Sequence, residues 1–173
     1  VNGLDPATEA MEQDSPVLLL RKEYVVDSGG PGHNRGGAGV LKDAYWETDG
    51  EHYSIPIRYK QGTGNGVQGG MPGQAGACWL FEPEDEALRS RSKLLPVNGS
   101  VYTNTTPIAG VLDPKTKALD PNGKYFYFAR RHVWQTRAGA ASRYITNGGG
   151  GWGDPTSREP ERVLADVRNE YVS

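Results

Sequence analysis

The chain has little cysteine, no long apolar run, no excess of either charge and, over most of its length, no helical periodicity. Its single Cys78 excludes an internal disulfide framework and cannot by itself furnish a cysteine-rich zinc site. The longest aliphatic run, Val17 to Leu20, falls far short of the roughly 20 apolar residues that span a bilayer. No charged segment followed by an apolar one precedes it, so the expectation is a soluble, unexported, cytoplasmic chain with no membrane partner. The sequons Asn98-Gly99-Ser100 and Asn104-Thr105-Thr106 would matter only in a secretory compartment. Lys plus Arg number 19 against 21 Asp plus Glu, a net charge of -2, which excludes a broad basic surface for nucleic acid. With 36% hydrophobic residues in 173, the chain (1–173) is expected to form one domain with many loops around a modest core, or a core completed by another chain. It begins at Val1 rather than Met, which leaves room for a fragment or a processed product.

What the chain does have is glycine, 24 residues of it, with 12 prolines. Two segments are dense in it: Asp27-Ser28-Gly29-Gly30-Pro31-Gly32-His33-Asn34-Arg35-Gly36-Gly37-Ala38-Gly39, and Asn147-Gly148-Gly149-Gly150-Gly151-Trp152-Gly153-Asp154-Pro155. Seven more glycines lie from Gln61 to Gly76. Glycine loses more backbone entropy on folding than any other residue, so such density has a purpose only where φ is positive or backbone must approach very closely.

Between these segments the pattern reads as strands. Val17–Val26, Val40–Thr48 (closed by the Asp49-Gly50 turn) and His52–Tyr59 qualify, the last with Tyr53, Ile55, Ile57 and Tyr59 on one face and Pro56 marking an edge or bulge. Ala77–Phe81 reads as a short buried strand and Pro96–Pro107 as strand and turn. The near repeat Leu112-Asp113-Pro114-Lys115 and Leu119-Asp120-Pro121-Asn122 brackets an exposed loop or hairpin, and Tyr125–Trp134 is an aromatic strand needing cover on both faces. Residues before Pro16 suit an entering loop or short helix, and Glu84–Arg91 a helical turn or two. Clear helix grammar occurs once, near Pro160, where Val163, Leu164 and Val167 are expected inward and Arg162, Asp166 and Arg168 outward. The expected class is therefore α+β and β-rich, a mixed or antiparallel sheet with glycine-rich loops and a C-terminal helix.

Several chemistries are possible for the glycine segments. Gly29, Gly30, Gly32, Gly36, Gly37 and Gly39 can turn amides toward an anion, with Arg35 and His33 adding charge and donors. No Lys-Ser/Thr closes a P-loop spacing, however, and no amphipathic helix opens here, so a tightly packed structural turn is preferred, with a subunit-contact or lid role next. Gly148, Gly149, Gly150, Gly151 and Gly153 around Trp152 can bring backbone close to a ligand against a flat indole wall; a tight crossover sealed by a core tryptophan is the simpler reading. Arg130, Arg131, His132 and Arg137 form the only basic cluster interleaved with aromatics, and suit an intersubunit ion-pair patch or a substrate contact better than nucleic acid. His33, His52 and His132 have no metal-ligand spacing, so no metal ligand is assigned. Cys78, within an apolar run, reads as an inert buried thiol, and Asp27 and Asp154 as caps of backbone turns. No nucleophile or acid–base pair stands out, and catalytic residues are left unassigned.

On these residues the chain resembles the hydantoinase B/oxoprolinase family. Asp27 to Val40 is similar to that family's D-S-G-G-x-G-x-x-R-G-G-x-G-V signature. Gly148 to Pro155, followed by Arg158, Pro160, Val163, Asp166-Val167-Arg168 and Val172-Ser173, is similar to its second, and Gly69-Gly70-Met71-Pro72-Gly73 to a shorter element between them. The resemblance implies the C-terminal region of a B-type subunit, or a split subunit lacking the larger N-terminal region. It further implies two partners, the remainder of the B-type subunit and an A-type ATP-binding subunit. The complex would use ATP and a divalent metal to activate an enol or amide oxygen by phosphorylation, with neither bound by this chain alone. Its substrate would be a small ketone or a cyclic amide. The aromatic, Asp-Pro-rich segment from Thr103 to Arg143 tips the expectation toward a ketone carboxylase of the acetone or acetophenone type. The alternatives are an ATP-dependent cyclic amide hydrolase and a noncatalytic assembly domain of either enzyme. Arg35, His33, Arg130, Arg131, His132 and Trp152 would be substrate or subunit contacts, and the glycines structural.

Overall fold

The computed structural model describes residues 6–53, 64–88, 94–97, 99–120, 126–129 (chain path only) and 133–173. Among the described residues, helix α1 (Thr8–Asp14) packs on the first of eight strands, β1 (Val17–Tyr24), which is followed by β2 (Val40–Trp46), β3 (Gly50–Tyr53), β4 (Ala77–Phe81), β5 (Thr106–Leu112), β6 (Phe126–Ala129), β7 (Val133–Thr136) and β8 (Ala141–Ile145). Helix α2 (Pro160–Arg168) comes last, and 3-10 turns occupy Glu86–Leu88, Gly99–Tyr102 and Pro155–Ser157. Six strands form one antiparallel sheet in the order β1-β2-β8-β4-β5-β6, while β3 and β7 make a separate antiparallel ribbon. The fold is thus α+β and β-rich, with a C-terminal helix.

β4 is buried at all five positions because its two faces feed two cores. Ala77, Trp79 and Phe81 join Leu41, Leu95, Tyr102, Leu112, Ala141 and Ile145 on one side. Cys78 and Leu80 meet Ile108, Ala140 and Trp134 on the other, the period-two consequence of pleating. Burial pushes the Cys78 thiol up to about 12, which makes it an inert packing group.

The first core also holds a charge pair. Asp43 of β2 lies opposite Arg143 of β8, and both side chains are fully buried. Arg143 donates twice to the Asp43 carboxylate at 2.7 Å, and also to the Pro96 and Leu95 carbonyls and the Tyr102 hydroxyl. Every face of the guanidinium is used, which makes such a burial tolerable.

Some expected strands differ. The Tyr125–Trp134 strand divides into β6 and β7, which belong to different sheets, while residues 121–125 and 130–132 lie outside the described part. The third strand is seen over Gly50–Tyr53 only, since 54–63 lie outside it. Leu112 bridges Leu119 antiparallel, so the near repeat does close a hairpin. Among the described residues no helix is long and apolar enough to cross a membrane.

Candidate functional site: a glycine bundle clamped by a helix

The glycine segments come together. Residues 148–153 run through the middle of a bundle whose walls are 28–32, 34–37, 64–67 and 70–74. Each of the four consecutive glycines in the central run turns its bare Cα toward a neighbour's backbone. A Cβ at Gly148 would lie 1.7 Å from the Ser28 carbonyl oxygen, at Gly149 2.9 Å from the Gly37 nitrogen, at Gly150 2.4 Å from the Asn65 oxygen and at Gly151 2.0 Å from the Pro31 oxygen. Contact returns to the 28–31 wall after three residues, the repeat of an extended threefold helix of polyproline II type.

Such a helix makes no hydrogen bonds of its own, so its neighbours must supply them. They do, in several directions. Gly148 N donates to Gln74 O at 2.9 Å, Gly149 N to Gly37 O at 2.8 Å, Gly151 N to Met71 O at 2.9 Å and Gly153 N to Val67 O at 2.9 Å. In return Gly30 N donates to Gly149 O at 2.8 Å and Val67 N to Gly151 O at 2.9 Å, while Trp152 and Asn34 exchange both backbone bonds at 2.9 Å. The walls obey the same rule: a Cβ at Gly36 would sit 1.9 Å from Gly149 O, at Gly70 2.1 Å from Gly151 O and at Gly73 2.4 Å from Gly148 O. Left-handed φ is not the reason for these glycines, Gly153 (φ 76°) excepted. Close approach is, as in collagen, where only glycine fits the crowded axis.

Polar pins fix the rim. Ser28, fully buried, donates its hydroxyl to Val25 O at 2.5 Å and accepts from Gly39 N at 2.7 Å. Asp27, at φ 60°, accepts from Ser173 N at 3.0 Å and Ser173 Oγ at 2.6 Å, and these bonds hold its carboxyl below the usual range. Asp154 caps the Pro155–Ser157 turn through Thr156 N at 2.8 Å, and its carboxyl is lowered in the same way.

Helix α2 lies with its polar side against the bundle, the reverse of the amphipathic expectation. Arg162 and Asp166 are turned inward and Val163, Leu164 and Val167 are exposed. The reason is a charged clamp. Arg35 donates from Nε and Nη2 to both Asp166 oxygens at 3.1 and 3.2 Å, donates from Nη1 to Gly36 O at 2.7 Å, and stacks 4.5 Å from the Tyr171 ring. Arg158 bonds the same carboxylate and reaches His33 O at 3.1 Å, while Arg162 donates to Asn34 Oδ1 at 2.8 Å. Burial works to raise the Asp166 pKa, but the arginine partners, Arg35 first, win and lower it. The surface facing α2 presents the polar side chains of Asn34 and Arg35, which match Arg162 and Asp166 and offer the three aliphatic side chains no apolar counterpart.

Of the residues singled out in the sequence, Arg35, His33 and Trp152 meet here. His33 Nδ1 lies 3.1 Å from both Ser157 O and Oγ, with its ring 6.4 Å from the Trp152 ring. Trp152 does not seal a core: its backbone is woven into the bundle, yet 47% of the residue is exposed beside the exposed Val67 and Met71. Arg137 is elsewhere, paired with Glu82 and Glu84, and Arg130, Arg131 and His132 lie outside the described residues. Sequence reading missed Asp166 as the shared partner of Arg35 and Arg158, although Arg158 and Asp166 belong to the second signature; the available signal was a guanidinium just ahead of α2 and a carboxylate within it. It also missed His52, held at 2.7 Å from Thr136 Oγ1 between the Trp46 and Trp134 rings, where burial lowers its pKa. Among the described residues no three His, Cys, Asp or Glu side chains group as metal ligands. The glycine amides named above are spent on carbonyls, so they offer no cradle to a phosphate.

A cleft of 290 Å³ opens between α2 and the bundle, walled by Pro31, Pro155, Val163 and Val172, with Arg35 and Asp166 at its polar side.

Comparison with known proteins agrees with the signatures. The model of the hydantoinase B/oxoprolinase family matches residues 1–155. The beta subunit of caprolactamase from Pseudomonas jessenii is 28% identical over 169 residues, covering 95% of this chain and 22% of that subunit. In structure, the chain is similar to ATP-dependent caprolactamase from Pseudomonas jessenii (TM-score 0.65, 22% identity, 96% of this chain, 23% of that one). It is also similar to nucleotide-free acetone carboxylase (TM-score 0.58, 19% identity, 96% of this chain, 21% of that one). The chain spans about a fifth of the length of these relatives.

Proposed function

We propose, from the premise that this chain belongs to the hydantoinase B/oxoprolinase family, that it is the glycine-bundle part of the B-type component of an ATP-dependent, cytoplasmic multisubunit enzyme that opens a cyclic amide. The observation that carries the reading is the interlocking of the two family signatures into one structure, with Gly148–Gly151 as its axis and Arg35 tied to Asp166. The likeness to a caprolactamase beta subunit favours a ring amide as substrate. A ketone carboxylase is the second reading, supported by the acetone carboxylase likeness; the segment that favoured it, Thr103 to Arg143, falls partly outside the described residues.

In this proposal ATP and a divalent metal, held by the A-type partner and the rest of the B-type chain, supply phosphorylation of the amide oxygen, which turns a poor leaving group into a good one. This chain supplies rigidity. Its bundle excludes water from a backbone that has no side chains to shield it, and presents Trp152 and His33 at a fixed edge as contacts for substrate or subunit. Arg35 acts as the pin that keeps this edge and α2 in register. Arg130, Arg131 and His132 are further contacts in the same proposal.

The test is reconstitution with the remainder of the B-type component and the A-type ATP-binding subunit, followed by assay with ATP and a lactam or hydantoin, and in parallel with ATP, bicarbonate and a ketone. ATP-dependent ring opening is expected. Fixation of bicarbonate on the ketone alone would establish the second reading, and ring opening by the isolated chain without ATP would defeat both.

A further inference from the structure

Helix α2 spends its polar side on the bundle and leaves Val163, Leu164 and Val167 39%, 49% and 42% exposed, on one continuous apolar stripe that also takes in Pro160. The stripe runs into the 290 Å³ cleft through Val163. That cleft is a poor site for a polar small molecule. Its Asp166 carboxylate is shared by Arg35 and Arg158, Asp27 is held by Ser173, and the remaining walls are proline, valine and glycine. A ligand pocket keeps a few polar groups available to orient its guest, whereas a hole with committed polar groups and an apolar rim suits an anchoring side chain from another polypeptide segment.

From this geometry, and resting on the reading of the chain as part of a B-type component, we infer that the apolar stripe of α2 and the adjoining cleft seat an apolar segment of the remaining B-type polypeptide. That occupant follows from length. The relatives carry about four-fifths of their sequence outside the part this chain matches. A segment belonging to the same assembly meets the stripe at high effective concentration. A second copy would have to bring its own protruding anchor to a stripe that borders, rather than fills, the cleft.

The test places a photo-reactive benzophenone at Leu164 of the full chain, expressed in its own cells, with the cross-linked peptides identified after irradiation. The expected peptide comes from sequence resembling the part of the caprolactamase beta subunit that this chain leaves uncovered, whether in the same polypeptide or a separate one. Adding Val163→Glu and Val167→Glu is expected to lower the cross-link yield at least tenfold with the thermal unfolding of the purified chain unchanged; should that variant unfold early, the identity of the cross-linked peptide decides alone. A cross-link to a second copy, a cross-link to the ATP-binding subunit, or a yield indifferent to the substitutions overturns the inference. The ATP-binding subunit as the cross-linked partner would leave the multisubunit reading standing. No cross-link at all, with the lone chain active, would remove both.

Discussion

At the scale of single residues, the glycines differ in what they do, and Gly36 and Gly37 make the contrast sharpest. A Cβ at Gly36 would lie 1.9 Å from the Gly149 carbonyl oxygen, whereas one at Gly37 meets nothing within 4 Å among the described residues. Gly36→Ala is therefore expected to cost about 3 kcal/mol in denaturant unfolding, as overpacking does. Gly37→Ala should stay within about 0.5 kcal/mol of the parent. Equal effects would contradict the bundle geometry. Cys78 gives a second residue-scale check: buried and with its thiol pushed up to about 12, it is expected to resist a thiol reagent until the chain unfolds. Sequence alone disclosed that glycine was needed for φ or for close approach, and could not choose between them; that choice depends on which segments meet, a long-range fact.

At the scale of elements, α2 is held by charge rather than by its apolar face. The Asp166 pKa is lowered in the folded state, so its contribution is fully present above the ordinary carboxylate value and is lost as pH falls through the lowered one. Asp166→Asn is expected to cost about 2 kcal/mol at neutral pH, the range for hydrogen bonds to charged groups, and to flatten the acid limb of the stability curve. Unfolding midpoints measured across the acid range would reveal it, and an unchanged acid limb would mean the clamp contributes nothing. Arg35→Lys keeps the charge and loses the two-pronged geometry and the stacking on Tyr171, for an expected cost of about 1 kcal/mol. The start of α2 was legible because Pro160 marks a first helical turn. Its orientation was not, because hydrophobic periodicity assumes an apolar surface opposite, and here the surface opposite presents Asn34 and Arg35. β4 was legible as an unbroken apolar run, while β8 was hidden by Ser142 and Arg143, whose polar groups are met by Trp46 and Asp43 respectively across the sheet.

At the scale of the whole molecule, two constructions meet: an antiparallel sheet with side-chain cores on both faces, and a bundle with almost no side chains inside. The sheet is pinned by the Asp43–Arg143 pair, and Asp43→Asn is expected to cost about 3–5 kcal/mol by leaving a buried guanidinium uncompensated. The bundle joins the sheet through β1, β2 and β8, since Val25 N bonds Gly39 O and Thr146 N bonds Val40 O where those strands end. Much of this architecture was legible as family signatures in order along the chain, but the signatures did not say that they form one object. The central claim is that the glycine segments are an interlocked core rather than mobile loops, and residue-resolved amide hydrogen exchange tests it most directly. The amides of Gly30, Gly149, Gly151 and Gly153 should exchange as slowly as those of β4; exchange at the rate of an open loop would contradict the account.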